Sequence, residues 1–128
     1  MNRIRVLVVD ESRDFMEGLQ AWFKGDPHIE VVGAVSTDRE ALAEIEREHP
    51  DLVLLDVRLH PMGGFEATRR IRALHPAPAV VLTSFLSSEA ARQAAVAAGA
   101  DRFLANPEVV KGLTALAREM LRRRRAAE

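Results

Sequence analysis

The chain has 128 residues, enough for one domain with its own core and too few for two of ordinary size. A formal charge of -1 excludes a surface that is basic throughout and built for nucleic acid, and the lack of cysteine excludes disulfides, thiolate catalysis and thiolate zinc sites. No window approaches the roughly 20 apolar residues of a membrane crossing, and Met1 to Arg5 leads into an aliphatic run without a signal-peptide pattern, so a soluble cytoplasmic protein with a single domain over 1–128 is expected.

Aliphatic runs alternate with helical patterns along the whole chain, as in a wound α/β sheet. Ile4 to Val9 reads as the first strand. Ser12 caps a first helix, in which Phe15, Leu19, Trp22 and Phe23 recur at helical spacing and are assigned to packing, until Gly25-Asp26-Pro27 stops it. Ile29 to Val35 is the second strand. The next helix opens at Thr37 or Asp38, carries Ala41, Leu42 and Ile45, and ends at His49-Pro50. Leu52 to Leu55 forms the third strand and Phe65 to Leu74 the third helix, which stops before His75-Pro76. Ala79 to Leu82 is the fourth strand, and Ser87 or Ser88 opens an alanine-rich helix that ends at Gly99. Arg102 to Leu104 and Glu108 to Arg125 complete the set, the tail 118–128 being a possible lead into an output domain. Strands this apolar belong in a parallel sheet with helices on both faces. Strand order is not legible, but the flavodoxin-like order 2-1-3-4-5 would make strands one and three neighbours where the winding reverses.

Asp10 and Glu11 follow the first strand and Asp56 the third, so these acids emerge at the carboxyl edge of the sheet, where such folds place ligands. With strands one and three adjacent, all three share a crevice. Carboxylates brought together repel unless a cation joins them, and Mg2+, a hard ion with oxygen ligands, characteristically couples such a site to a phosphate.

Val8-Val9-Asp10-Glu11-Ser12, Leu54-Leu55-Asp56-Val57-Arg58, Gly64-Phe65-Glu66, Leu82-Thr83-Ser84 and Ala98-Gly99-Ala100-Asp101-Arg102-Phe103-Leu104 stand in the order and near the spacing of one known family. Over essentially its whole length the chain resembles the receiver domain of two-component response regulators. The resemblance implies a five-stranded (βα)5 domain of order 2-1-3-4-5. It makes Asp56 the acceptor of a phosphoryl group from a histidine kinase or phosphotransfer protein, and Asp10, Glu11, Asp56 and the backbone carbonyl of Arg58 the ligands of Mg2+. Thr83 becomes the hydroxyl that turns toward the phosphoryl group, with Ser84 a small neighbour that leaves access open. Phe103 becomes the aromatic switch that carries the change to the fourth helix, fifth strand and fifth helix, a surface also suited to a homodimer. Such a domain is a phosphoacceptor rather than an enzyme.

Three positions depart from the family's pattern. Asn106-Pro107 stands where a lysine normally precedes the proline, and neither lysine of the chain, Lys24 or Lys111, occupies that place. Exchanging a charge-assisted bond for a neutral one removes on the order of 1 kcal/mol from coupling that is itself about 1 to 3. Glu11 stands at a usual aspartate, and Arg58-Leu59-His60-Pro61-Met62-Gly63-Gly64 carries its proline one place late, so Mg2+ affinity below that of a typical receiver is expected. These departures keep open a second reading, a degenerate receiver that works as a phosphorylation-independent interaction module. A phosphatase is disfavoured because Arg58 stands where a general acid is needed, and nucleotide or flavin binding because no glycine-rich loop follows the first strand. His49, His60 and His75, beside prolines, read as surface residues. Arg122 to Arg125 read as a solvated cap on the last helix dipole without nucleic acid contact.

Overall fold

The computed structural model describes residues 3–86 and 88–128. Its strands are β1 (Ile4–Val9), β2 (Ile29–Val35), β3 (Leu52–Asp56), β4 (Ala79–Ser84) and β5 (Arg102–Ala105). The helices are α1 (Arg13–Phe23), α2 (Asp38–Glu48), α3 (Gly64–Arg72), α4 (Glu89–Ala98) and α5 (Val109–Ala127), the last entered through a single 3-10 turn at Asn106–Glu108. All strand pairs are parallel and the order is 2-1-3-4-5, as the sequence resemblance implied. No helix among the described residues is long and apolar enough to cross a membrane.

Alternation along each strand divides the core in two. Val6, Val8, Leu52, Leu54 and Val81 point to one face, where Met16, Leu19 and Phe23 of α1 and Leu113, Leu116 and Leu121 of α5 cover them. Leu7, Val9, Val53, Leu55, Val80 and Leu82 point to the other, under Ala41 and Ile45 of α2, Ala67 and Ile71 of α3, and Ala95 of α4. Every residue of β3 is buried, which explains why its sequence shows no polar alternation. Burial contributes about 2 to 3 kcal/mol for each large aliphatic side chain, so the four of β3, Leu52 to Leu55, anchor the strand that carries Asp56 firmly.

The strand starts agree with the sequence reading, but three strands run further. β3 extends to Asp56, β4 to Ser84 and β5 to Ala105, because Asp56 pairs with Thr83 and Ser84 with Ala105 in ladders that neighbouring strands enforce after the aliphatic signal has ended. α3 begins at Gly64 and ends at Arg72, short of Leu74. Pro76 disfavours helical backbone just ahead of it, and the Leu74 N–H closes a tighter turn on the Ile71 carbonyl at 3.0 Å. Ser88 caps α4 through the Ala91 N–H at 3.1 Å, while Ser87 lies outside the described residues. Trp22 corrects the packing assignment: it is 67% exposed, whereas Met16, Leu19 and Phe23 form the buried stripe of α1. At 3.6 residues per turn, Trp22 falls about a quarter turn from the centre of that stripe.

Candidate functional site

Asp10 leaves the end of β1 and Asp56 closes β3, and these strands are direct neighbours with Val9 opposite Leu55. The two acids therefore sit side by side at the carboxyl edge, 2% and 3% exposed. Each is held by its own chain two residues on: the Ser12 N–H donates to Asp10 Oδ1 at 2.8 Å, and the Arg58 N–H donates to Asp56 Oδ1 at 3.2 Å. Burial raises the Asp10 carboxyl above its ordinary value. The Ser12 N–H opposes that rise, and the adjacent Asp56 charge adds to it. Thr83 is opposite Asp56 in the ladder, fully buried, and among the described residues its Oγ1 has no hydrogen-bond partner. Ser84 beside it accepts the Leu86 N–H at 3.1 Å.

α3 starts almost in contact with this edge. A Cβ on Gly64 would lie 2.5 Å from the Asp56 carbonyl oxygen and 2.6 Å from the Val57 Cα, so only glycine lets the helix approach so closely. The Gly64 N–H bonds the Val57 carbonyl at 3.0 Å and the Val57 N–H bonds the Thr83 carbonyl at the same length, which ties the β3 end to both flanking elements.

Glu11 is placed differently from Asp10 and Asp56. It is exposed, and its Oε2 is hydrogen-bonded to Nδ1 of His60 from the loop after β3. That bond first, and the carboxylate charge second, hold the His60 imidazole above its usual value. Among the described residues no three His, Asp or Glu side chains gather closely enough to hold a metal ion. The His60 loop is fastened from below by Asp38, completely buried at the start of α2, whose Oδ2 accepts the Met62 and Gly63 N–H groups at 2.8 and 3.1 Å. Sequence reasoning saw Asp38 only as a helix start. Nothing local to residues 37–40 signals a partner more than twenty positions away.

The positive charge at the acids comes from Arg58. Its Nη2 lies 3.8 Å from Asp56 Oδ2, and its guanidinium carbon sits 5.0 Å from the centre of the Phe85 ring. Asn106 is half-buried at the start of the 3-10 turn that follows β5, with Pro107 next in that turn. Phe103 is 8% exposed on β5, packed in the second core with the Arg92 guanidinium carbon 5.1 Å above its ring. His49 and His75 are exposed, as is His60, which was also expected at the surface, though its bond to Glu11 was not foreseen. Arg122 to Arg125 are exposed, yet Arg123 pairs with Glu119 and Arg124 reaches Asp51 at 2.6 Å.

The Asp10 and Asp56 pair fits a hard divalent cation. Two adjacent, nearly buried carboxylates raise the proton affinity of Asp10, which is the electrostatic condition that a metal ion relieves. An orphaned hydroxyl one strand away fits an oxygen-rich ligand beside that cation.

The family model of the response regulator receiver domain matches residues 6–118. A protein-glutamate methylesterase/protein-glutamine glutaminase of Geobacter metallireducens is 38% identical over 107 residues, which are 82% of this chain and 31% of that protein. One from Methanospirillum hungatei is 34% identical over 119 residues, 91% of this chain and 35% of that protein. The chain thus spans about a third of the length of these curated relatives. Among solved structures, the response regulator domain of Thermotoga maritima CheB superposes with a TM-score of 0.81 at 27% identity, covering 94% of this chain and 97% of that one. A LuxR-family two-component response regulator from Aurantimonas gives a TM-score of 0.81 at 26% identity, covering 91% and 86%.

Proposed function

The chain belongs to the response regulator receiver family, and from that premise we propose that it accepts a phosphoryl group on Asp56 from the phosphohistidine of a kinase or phosphotransfer protein and signals by protein contact. The observation that carries this reading is the conjunction, at the ends of three adjacent strands, of Asp10 just past β1, Asp56 on β3 and the Thr83 hydroxyl of β4, which has no partner among the described residues. In the transfer, an Asp56 carboxylate oxygen bonds to phosphorus as the donor's phosphorus–nitrogen bond breaks. The bonding pair leaves with the imidazole, which takes its proton from solvent. Asp10, Asp56 and the Arg58 carbonyl are the groups that would hold Mg2+, with Glu11 available once it leaves His60. When bound, Mg2+ neutralises phosphoryl oxygens and aligns the attack. Thr83 then donates its unused hydroxyl to the phosphoryl group, and the shift passes through β4 to Phe103 and the surface of α4, β5 and α5, where partners or a second copy dock.

This role is that of a phosphoacceptor in the cytoplasm, not of an enzyme. The methylesterase and glutaminase activities in the relatives' names belong to proteins about three times as long. The engagement of Glu11 by His60, together with Asn106, favours a second reading, a degenerate receiver whose contacts do not depend on phosphate. Acetyl phosphate with Mg2+ separates the two. The first reading expects a covalent phosphoryl adduct by mass spectrometry that requires Mg2+ and vanishes in Asp56→Asn, and a folded protein that stays unmodified supports the second.

A further inference from the structure

Asp56 presents its two oxygens to different parts of one residue. Oδ1 accepts the Arg58 backbone N–H at 3.2 Å, which leaves Oδ2 as the oxygen for bond formation, and Nη2 of the same arginine stands 3.8 Å from it. An exposed ion pair would carry little weight, but here the carboxylate is nearly buried and the guanidinium also lies over the Phe85 ring. Phe85 is 53% exposed just beyond β4, with its ring centre 5.0 Å from that guanidinium carbon. Asn106, where the family pattern calls for a lysine, contributes no charge, and Lys24 and Lys111 lie on other elements.

We infer that Arg58, steadied by the Phe85 ring, supplies the cation that stabilises the phosphoryl group on Asp56, in place of the lysine missing at Asn106. This rests on the phosphoacceptor reading. A guanidinium suits the task because its planar fork of donors matches two phosphoryl oxygens at once. The side chain is 62% exposed and free of a packed core, so it can follow the added group outward.

The test follows phosphorylation of the full chain by acetyl phosphate with Mg2+ in the wild type, Arg58→Gln, Asn106→Lys and the double variant, beside a calorimetric Mg2+ titration without phosphodonor. Arg58→Gln is expected to slow adduct formation about tenfold, as loss of one charge-assisted contact in the transition state predicts. It should also bind Mg2+ more tightly than the wild type, because the guanidinium and the ion draw on the same acids. Asn106→Lys in the Arg58→Gln background should restore most of the rate. An unchanged or faster rate in Arg58→Gln, no recovery with Asn106→Lys, or weaker Mg2+ binding that traces the loss to a displaced loop each overturns the inference while the phosphoacceptor reading stands. A folded wild type that takes no phosphate overturns both.

Discussion

Asp10 bears a cost that its neighbours impose. Burial and the Asp56 charge favour its neutral form, so its folded-state affinity for a proton exceeds that of the unfolded chain. For a group raised in this way, the stabilising contribution is complete in acid and is lost as pH rises through the folded value. Asp10→Asn keeps an Oδ1 acceptor for the Ser12 N–H and never ionises. In metal-free buffer at neutral pH its melting temperature should exceed that of the wild type by about 3 °C, a gap that closes in acid where Asp10 is protonated in both states. Thermal unfolding across pH measures this, and equal melting points at neutral pH would contradict it. A second residue-scale prediction concerns His60. Its bond to Glu11 competes with any service of that carboxylate at the metal. His60→Ala should therefore tighten Mg2+ binding about threefold by calorimetry, the size of a lost exposed pair. Asp10 and Asp56 were legible from sequence as acids at strand ends, and Thr83 was singled out only through the family resemblance. Asp38, His60 as a partner of Glu11, and the side chain of Arg58 were not, since each acts across loops whose paths depend on how distant elements pack.

Element boundaries follow local chemistry wherever a cap defines them. Ser12 and Ser88 accept the Phe15 and Ala91 N–H groups and open α1 and α4, and Gly99 at φ +93° closes α4, all as the sequence indicated. Boundaries set by neighbours, such as the polar ends of β3 and β4, escaped the pattern. α2 combines both kinds. Thr37 accepts the Glu40 N–H while Glu40 accepts the Thr37 N–H, each at 3.1 Å, and Asp38 beside them grips the loop under the site. The Ser36 N–H first, then the Thr37 hydroxyl, hold the Glu40 carboxyl below its ordinary value. A depressed acid stabilises above its unfolded value and loses that contribution as pH falls through the folded one, so this cap weakens only in acid. Thr37→Ala should cost about 1 kcal/mol at neutral pH by denaturant unfolding, with a smaller deficit once Glu40 is protonated. A deficit that does not shrink in acid would leave Glu40 outside the cap.

At the scale of the molecule, strand order decides whether there is a site at all. The aliphatic runs called for a parallel sheet, but adjacency of β1, β3 and β4 is a property of the winding that hydrophobic pattern does not encode. Only the resemblance supplied it in advance. That adjacency sets Thr83 between Asp56 on β3 and Leu104 on β5, in register with both. Thr83 is buried and, among the described residues, its Oγ1 has no partner, a local penalty of about 1 kcal/mol or more, which valine of the same shape would remove. If the hydroxyl is kept for a phosphoryl group, the penalty is relieved on modification, and that relief is free energy available to move β4 relative to Phe103. Thr83→Val should then be more stable than the wild type by about 1 kcal/mol before modification, yet gain less from beryllofluoride with Mg2+. Melting curves of both proteins with and without the mimic give the difference directly. Equal gains would mean that Thr83 transmits nothing, and that whatever reaches α4, β5 and α5 travels by the Asp56 loop instead.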